Sequence, residues 1–415
     1  MSQPLVVYLG DARVGTLHAG AGPAEYLFAY DASIGVSRSG AIVLSVSLPV
    51  QPEPYGPDRA RPFFDGLLPE RGVREQLAGN LRIDPDNSFE LFARIGRDCA
   101  GAVVILPEGE GVAETASVEW LDDRQLQELI RDLPSAPLGV DAGSRIRLSL
   151  AGLQSKAVLV RSGSGAYGLP SPAAPSTHIV KPQYEDARFK DLAYNERFCM
   201  RVAECVGLEV ARTDLVFIGE RPCLLVERFD RSTDGAATVR LHQEDLCQAL
   251  GLSPTLKYEE QGGPGLGGVA ALLRDVSVRG ARDVLSLLRV VIVNFVLGNN
   301  DAHAKNFALL YGEAGLQLAP FYDLVSAAVY ERHETTMAMA LGGEFEQDGV
   351  GLAEVRGFAE ECGLSVSGTV DQWRSIAART ATCAEGVADL MKAEGLHVPT
   401  IDRIVALAKE RAARI

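Results

Sequence analysis

The rhythm of apolar and polar positions changes twice along this chain, and the changes divide it into three stretches. Short apolar runs over residues 5–9, 14–17, 26–30 and 41–48, with a turn at Gly10 and Asp11, predict strands. Helical spacing follows over 63–81 and 88–95, and a strand over 102–106 closes this part. The acidic, Gly-containing run from 107 to 114 reads as a linker, and 121–133 as an amphipathic helix. Strands and turns then return at 146–150, 157–160, 162–165 and 179–181, with a helix near 192–206 and further strands at 213–218 and 223–227. From His242 onward apolar residues recur at helical spacing, most clearly over 284–297 and 401–412. The expected units are an N-terminal subdomain (1–107), a nucleotide-binding lobe (108–235) and a helical catalytic lobe (236–415). This is an α+β, two-lobed protein-kinase-like fold: a mixed first lobe with an extra β-rich subdomain before it, and an all-helical second lobe.

A length of 415 residues with 47% hydrophobic content is ample for two or three cores. The formal charge of −15 opposes any broad contact with nucleic acid by this chain itself, because such affinity comes from cations on phosphates. Any role on DNA is expected to be indirect. The start lacks the basic and long apolar regions of a signal peptide, no run approaches a membrane span, and the protein is expected in the cytoplasm. Seven scattered cysteines with no Cys-x-x-Cys pair read as buried small hydrophobes in a reducing compartment.

The chemistry is concentrated late in the chain. Asn-Asp-Ala-His-Ala-Lys-Asn spans 300–306, and Phe-Tyr-Asp follows at 321–323. An Asp, an Asn five residues on and a second Asp within twenty more is the spacing kinases use for a base and two metal ligands. Asn299, Asn300 and Asp301 would also suit a plain helix end and turn. The apolar segments on either side favour a polar catalytic loop held by buried elements. Lys181 closes a strand-like run where a kinase keeps its phosphate-gripping lysine, and Glu196 on the next helix is its candidate partner. A strand-end lysine is otherwise a solvated charge. Residues 223–230 read as a strand entering a hinge, with Glu227 and Phe229 beside an adenine ring. Between two strand patterns lies Ser-Leu-Ala-Gly-Leu-Gln-Ser-Lys at 149–156, whose small residues let backbone amides approach phosphates, although it is neither a Walker motif nor the kinase Gly-rich fingerprint. Gly263 to Gly268 matches a dinucleotide fingerprint only in letters, since no buried strand precedes it, and reads as a Gly-rich loop. His303 has no second ligand at metal spacing and is expected to order the catalytic loop or touch the nucleotide.

In order along the chain stand Leu-Ser-Val-Ser-Leu-Pro (44–49), Phe-Phe-Asp-Gly-Leu-Leu-Pro (63–69), Ile-Gly-Arg-Asp-Cys-Ala-Gly-Ala (95–102), the loop at 148–156, Val-Glu-Arg-Phe-Asp-Arg (226–231), Gln-Glu-Asp (243–245), Lys-Tyr-Glu (257–259) and the two late motifs. With them the chain resembles the HipA family of toxin serine/threonine kinases, partners of HipB-type antitoxins. The resemblance implies ATP and Mg2+ as cofactors, Asp301 as catalytic base, and Asn306 and Asp323 as magnesium ligands. It also implies Lys181 on the phosphates and Glu227 with Phe229 at the adenine. Ala151, Gly152, Gln154, Lys156, His303 and Tyr322 would complete the nucleotide site, and Ser149 matches the family's autophosphorylated serine. The implied activity is phosphorylation of a translation component, an aminoacyl-tRNA synthetase such as glutamyl-tRNA synthetase, causing growth arrest. A HipB-like helix-turn-helix antitoxin would supply the DNA contacts. Two other classes compete: a catalytically silent ATP-binding protein, disfavoured by the intact Asp301, Asn306 and Asp323, and a small-molecule or lipid kinase, whose lipid form is disfavoured by the lack of a membrane-seeking helix.

Overall fold

The computed structural model describes residues 3–22, 25–37, 40–112, 118–139, 156–171, 173–234, 237–330 and 336–415. The expected strand at 146–150 and the loop residues Ser149, Ala151, Gly152 and Gln154 lie outside them.

The first unit is an antiparallel sheet in the order Tyr26–Tyr30, Ala12–Ala19, Leu5–Leu9, Val103–Pro107. Its alternating residues Leu5, Val7, Leu17, Tyr26 and Phe28 join Phe63, Phe64 and Phe92 from the helices in one core. The helix expected over 63–81 is two helices, Pro57–Leu67 and Arg71–Leu81. Leu68 is extended at the break because Pro69 follows it, and the residue before a proline is pushed out of the helical region. The strand expected over 41–48 is not formed. The Ser45 hydroxyl and the Val46 amide bond instead to Glu244, and the Ser47 hydroxyl to the Gln248 carbonyl, far along the chain, which takes the Val46 amide away from any neighbouring strand.

The second unit is a six-stranded antiparallel sheet in the order Glu119–Trp120, Tyr167–Leu169, Ala157–Arg161, His178–Pro182, Arg221–Glu227, Thr213–Ile218. Helix Leu192–Val206 packs on its last two strands and shares a large core with Gly280–Leu297, Val366–Ala393 and Pro399–Ala412. The α+β, kinase-like architecture is as expected, but the second lobe is not all-helical. Strands His242–Asp245, Ala308–Gly312 and Gly315–Leu318 form a sheet, and Thr336–Leu341 pairs with Glu344–Glu346. The middle strand of that sheet leaves the 299–306 loop directly, so the loop is framed by a helix on one side and a sheet on the other. No helix among the described residues is long and apolar enough to cross a membrane.

A buried charge cluster joins the first unit to the rest. Asp98 receives Ser176 Oγ at 2.6 Å and Arg231 at 2.9 Å, with Arg240 at 3.3 Å and Arg228 at 3.7 Å. Arg228 forks onto both oxygens of Asp230 and also donates to the Cys99 carbonyl, while Asp230 accepts the Gly101 amide. Burial would raise both carboxyls, but the arginines outweigh it and hold Asp98 and Asp230 below the ordinary range. Five cysteines are buried thiols as expected. Cys205 and Cys383 are a correction: the end of helix Leu192–Val206 packs on Val366–Ala393, and the two form a disulfide across 178 residues of sequence.

Candidate active site

The candidate residues lie where the six-stranded sheet meets the second lobe, with Lys181 on Asp323. Strand His178–Pro182 carries Lys181, and helix Leu192–Val206 carries Glu196, which is 2% exposed. Lys181 Nζ lies 2.7 Å from Glu196 Oε1 and 2.6 Å from Asp323 Oδ1. Burial alone would drive the proton off Lys181, yet the two carboxylates outweigh it and hold its pKa above the usual lysine value. Asp323 is drawn down to about 2, burial again being outweighed by Lys181. Its side chain is still 41% exposed, so the carboxylate has an open edge.

Asp323 has a left-handed backbone with φ 59°. Aspartate tolerates that region better than most residues, and such positions persist where the surroundings over-determine them, at about 1–3 kcal/mol each. The strained turn points the carboxylate back at Lys181.

Helix Gly280–Leu297 ends at Gly298, whose φ of 76° and amide bonds to the Asn294 and Phe295 carbonyls form a left-handed cap. A Cβ there would also stand 2.9 Å from the Cβ of Ala328, which cannot turn aside, so space disfavours a side chain as well as the backbone. The chain then turns straight into the loop. The Asp301 carbonyl accepts the His303 amide at 2.8 Å and Asn306 Nδ2 at 3.0 Å, which leaves the Asn306 carboxamide oxygen as an acceptor. Tyr258 donates to Asp301 Oδ1 at 2.7 Å. His303 is buried, which pushes its pKa down to about 3 and keeps it neutral, and its Nδ1 meets no hydrogen-bond partner among the described residues.

Phe229 and Tyr322 face one another, ring centroids 5.5 Å apart and tilted by 31°, and the Tyr322 hydroxyl donates to the Lys305 carbonyl at 2.7 Å. Glu227 is exposed at the end of strand Arg221–Glu227, its amide on the Arg212 carbonyl. Lys156 is buried, and burial together with the like charge of Lys181 lowers its ammonium to about 8. The structure thus links Lys181, Glu196 and Asp323 directly, joins Asp301 to Asn306 through the loop, and pairs Phe229 with Tyr322. Among the described residues no group of three or more His, Cys, Asp or Glu could hold a metal by itself.

Sequence reasoning missed four residues. Lys305, inside the 299–306 loop, is tied to Asp245 at 2.7 Å and to the Gly66 carbonyl at 3.3 Å. Lys257 reaches Glu70 of the first unit at 2.8 Å, and Tyr258 beside it reaches Asp301. Asp245, Lys257 and Tyr258 stand in short motifs of the sequence, yet nothing local says what they touch.

A family profile described as HipA-like C-terminal domain matches residues 148–391, and one described as HipA N-terminal domain matches residues 5–106. A Sinorhizobium fredii protein named as the kinase Y4mE is 41% identical over 350 residues, 82% of this chain and 81% of that protein. The serine/threonine-protein kinase toxin HipA of Shewanella oneidensis is 32% identical over 376 residues, 87% of this chain and 83% of its own. The solved Shewanella oneidensis complex of HipA, HipB and operator DNA contains a chain that superposes with a TM-score of 0.82 at 27% identity, covering 99% of this chain and 97% of that one. This chain belongs to the HipA family of toxin serine/threonine kinases.

Proposed function

We propose that this member of the HipA family is the toxin half of a toxin–antitoxin pair and transfers the γ-phosphate of Mg-ATP to a serine of a translation component. The observation that carries the reading is the Lys181–Glu196–Asp323 ion-pair chain, tied to the Asp301–Asn306 loop by the Tyr322 hydroxyl on the Lys305 carbonyl. Lys181, fixed by Glu196, is assigned to the nucleotide phosphates, and Lys156 adds a second cation near them. Asp323 and Asn306 offer one carboxylate and one carboxamide oxygen. That donor set fits magnesium, which keeps several waters and takes its remaining oxygens from phosphates. When bound, the ion would neutralise charge on the phosphates.

Asp301 is assigned to orient the acceptor hydroxyl and receive its proton. The Phe229–Tyr322 pair supplies an aromatic wall for the adenine, with the backbone near Glu227 as its edge reader, and the unsatisfied His303 Nδ1 is a place for a nucleotide group. Ala151, Gly152 and Gln154 are assigned to the phosphates and Ser149 to autophosphorylation, on the family resemblance alone. A phosphate on Ser149 would bring about −1.5 to −2 charge to the phosphate site and so oppose ATP. The proposed substrate is an aminoacyl-tRNA synthetase, with glutamyl-tRNA synthetase the first candidate. The proposed partner is a HipB-like helix-turn-helix antitoxin, whose basic surface would suit this acidic chain and carry the DNA contacts.

The test is transfer of label from γ-labelled ATP in a cell lysate, followed by identification of the labelled protein. A synthetase is expected to carry the label, with Ser149 of this chain labelled in parallel. Transfer to a lipid or small molecule only, or none at all, would overturn the reading. Promoter DNA should be unshifted by the chain alone at physiological salt and shifted by its complex with the antitoxin.

A further inference from the structure

Tyr258 reaches Asp301 from 43 residues earlier in the chain, and the reach is firmly built. Its neighbour Lys257 pairs with Glu70 of the first unit, while the Lys257 carbonyl accepts the Ala304 amide of the catalytic loop at 3.2 Å. On the other side Glu259 Oε2 accepts the Ala340 amide at 2.7 Å, from strand Thr336–Leu341. The Tyr258 ring stands edge-on to His303, with centroids 5.3 Å apart at 88°, and Lys257 Nζ lies 5.3 Å from the ring centre. The glycine run that mimics a dinucleotide fingerprint closes the back of this segment. The Gly263 amide bonds to the Tyr258 carbonyl, and a Cβ on Gly263 would stand 2.6 Å from the Leu256 carbonyl oxygen. A Cβ on Gly265 would meet Glu259 Oε1 at 2.5 Å. Those glycines let the segment lie close enough to hold Tyr258.

We propose that Tyr258 is a positioning residue for Asp301. The inference rests on the reading of Asp301 as the base. A carboxylate turns about its last torsion in broad, roughly two-fold wells, so the backbone bonds of the loop fix where Asp301 starts but not how its oxygens face. A phenol of fixed position donating to Oδ1 selects one orientation. That orientation is the one from which the carboxylate would meet the acceptor hydroxyl. Through Lys257 and Glu70 the first unit takes part in holding the base.

The discriminating variant is Tyr258→Phe in the full chain, which keeps the ring against His303 and removes only the donor. In single-turnover transfer from γ-labelled ATP to lysate protein, it is expected to be roughly ten- to a hundred-fold slower than wild type. ATP affinity and the urea midpoint should be unchanged, so that the whole loss falls on the transfer step. A purely structural role would instead lower ATP affinity or the urea midpoint along with the rate. A normal transfer rate in Tyr258→Phe, beside an inactive Asp301→Asn, overturns the positioning role alone. Slowing that weaker ATP binding or a lowered urea midpoint accounts for overturns it too. Wild-type rates in Asp301→Asn, or no transfer by the wild-type chain, remove the base reading and this inference together.

Discussion

Arg228 and Lys181 are both buried cations between two acidic side chains, yet their surroundings are finished differently. Around Arg228, the carboxylates of Asp98 and Asp230 are 2–3% exposed, further arginines close the far side, and Ser176 and the Cys99 carbonyl take remaining donors. Around Lys181, Glu196 is shut in at 3% while Asp323 keeps 41% of its side chain open. In both a neighbouring cation draws a carboxyl downward, Asp98 and Asp230 in the first and Asp323 in the second, whereas burial pushes Glu196 up to about 7. A charge cluster shut away from solvent acts as a joint. One with an open edge and a strained turn beneath it can still receive a ligand's charge.

Four experiments sharpen or break that contrast. Asp301→Asn should lower phosphoryl transfer by about 10²- to 10⁴-fold while leaving ATP affinity and the urea midpoint alone, because only the orienting carboxylate is lost. Asp98→Ala should do the reverse. Removing it leaves Arg228, Arg231 and Arg240 without their shared carboxylate and should cost about 3–5 kcal/mol in urea denaturation, with near-normal ATP affinity in the molecules still folded. If Asp98→Ala instead spared stability and abolished transfer, the joint would belong to the active site.

Lys181→Met lies between the two. It should weaken ATP binding and also cost about 1–3 kcal/mol, since Glu196 is left buried without its partner. Stability equal to wild type would mean that Lys181 serves the nucleotide only.

The smallest effect concerns Glu244, which receives Ser45 Oγ, the Val46 amide and the Tyr311 hydroxyl where the first unit meets the second lobe. Burial outweighs those donors and pushes its pKa from the ordinary 4.5 to about 7. The folded protein therefore holds a proton that the unfolded chain releases in that window, so this group's contribution is full below pH 4.5 and is lost as pH rises through 7. Urea titrations at pH 5 and pH 8 should show this component in wild type and not in Glu244→Gln.

Much of the frame was legible in the letters. The strands at 5–9 and 26–30 and the helices at 88–95 and 192–206 end where the structure ends them, because turn residues and apolar periodicity there agree with burial. Lys181 and Glu196 could be paired in advance because the kinase pattern fixes both the strand end and the next helix. The split at Leu68 was legible too, from Pro69, but the apolar run through it hid the break. What could not be read was any contact whose partner is remote. Ser45 meets Glu244 across 199 residues and Lys257 meets Glu70 across 187, so no window of sequence holds both ends. The disulfide between Cys205 and Cys383 was hidden for the same reason. Hence Arg-Phe-Asp-Arg and Gly-Arg-Asp-Cys were recognisable as family letters before it was visible that they bind each other.

The spacing of that joint also sets an order in time. Arg231 follows Asp98 by 133 residues, so at about 5–20 residues per second a ribosome delivers the cation roughly 7–27 s after the carboxylate. Until then Asp98 is an ordinary hydrated acid on an unfinished chain. Glu70 waits longer still, 187 residues, for Lys257, and Asp323 emerges later than either. The joint can therefore set while the second lobe is still being made, whereas the candidate site is completed only near the end of synthesis.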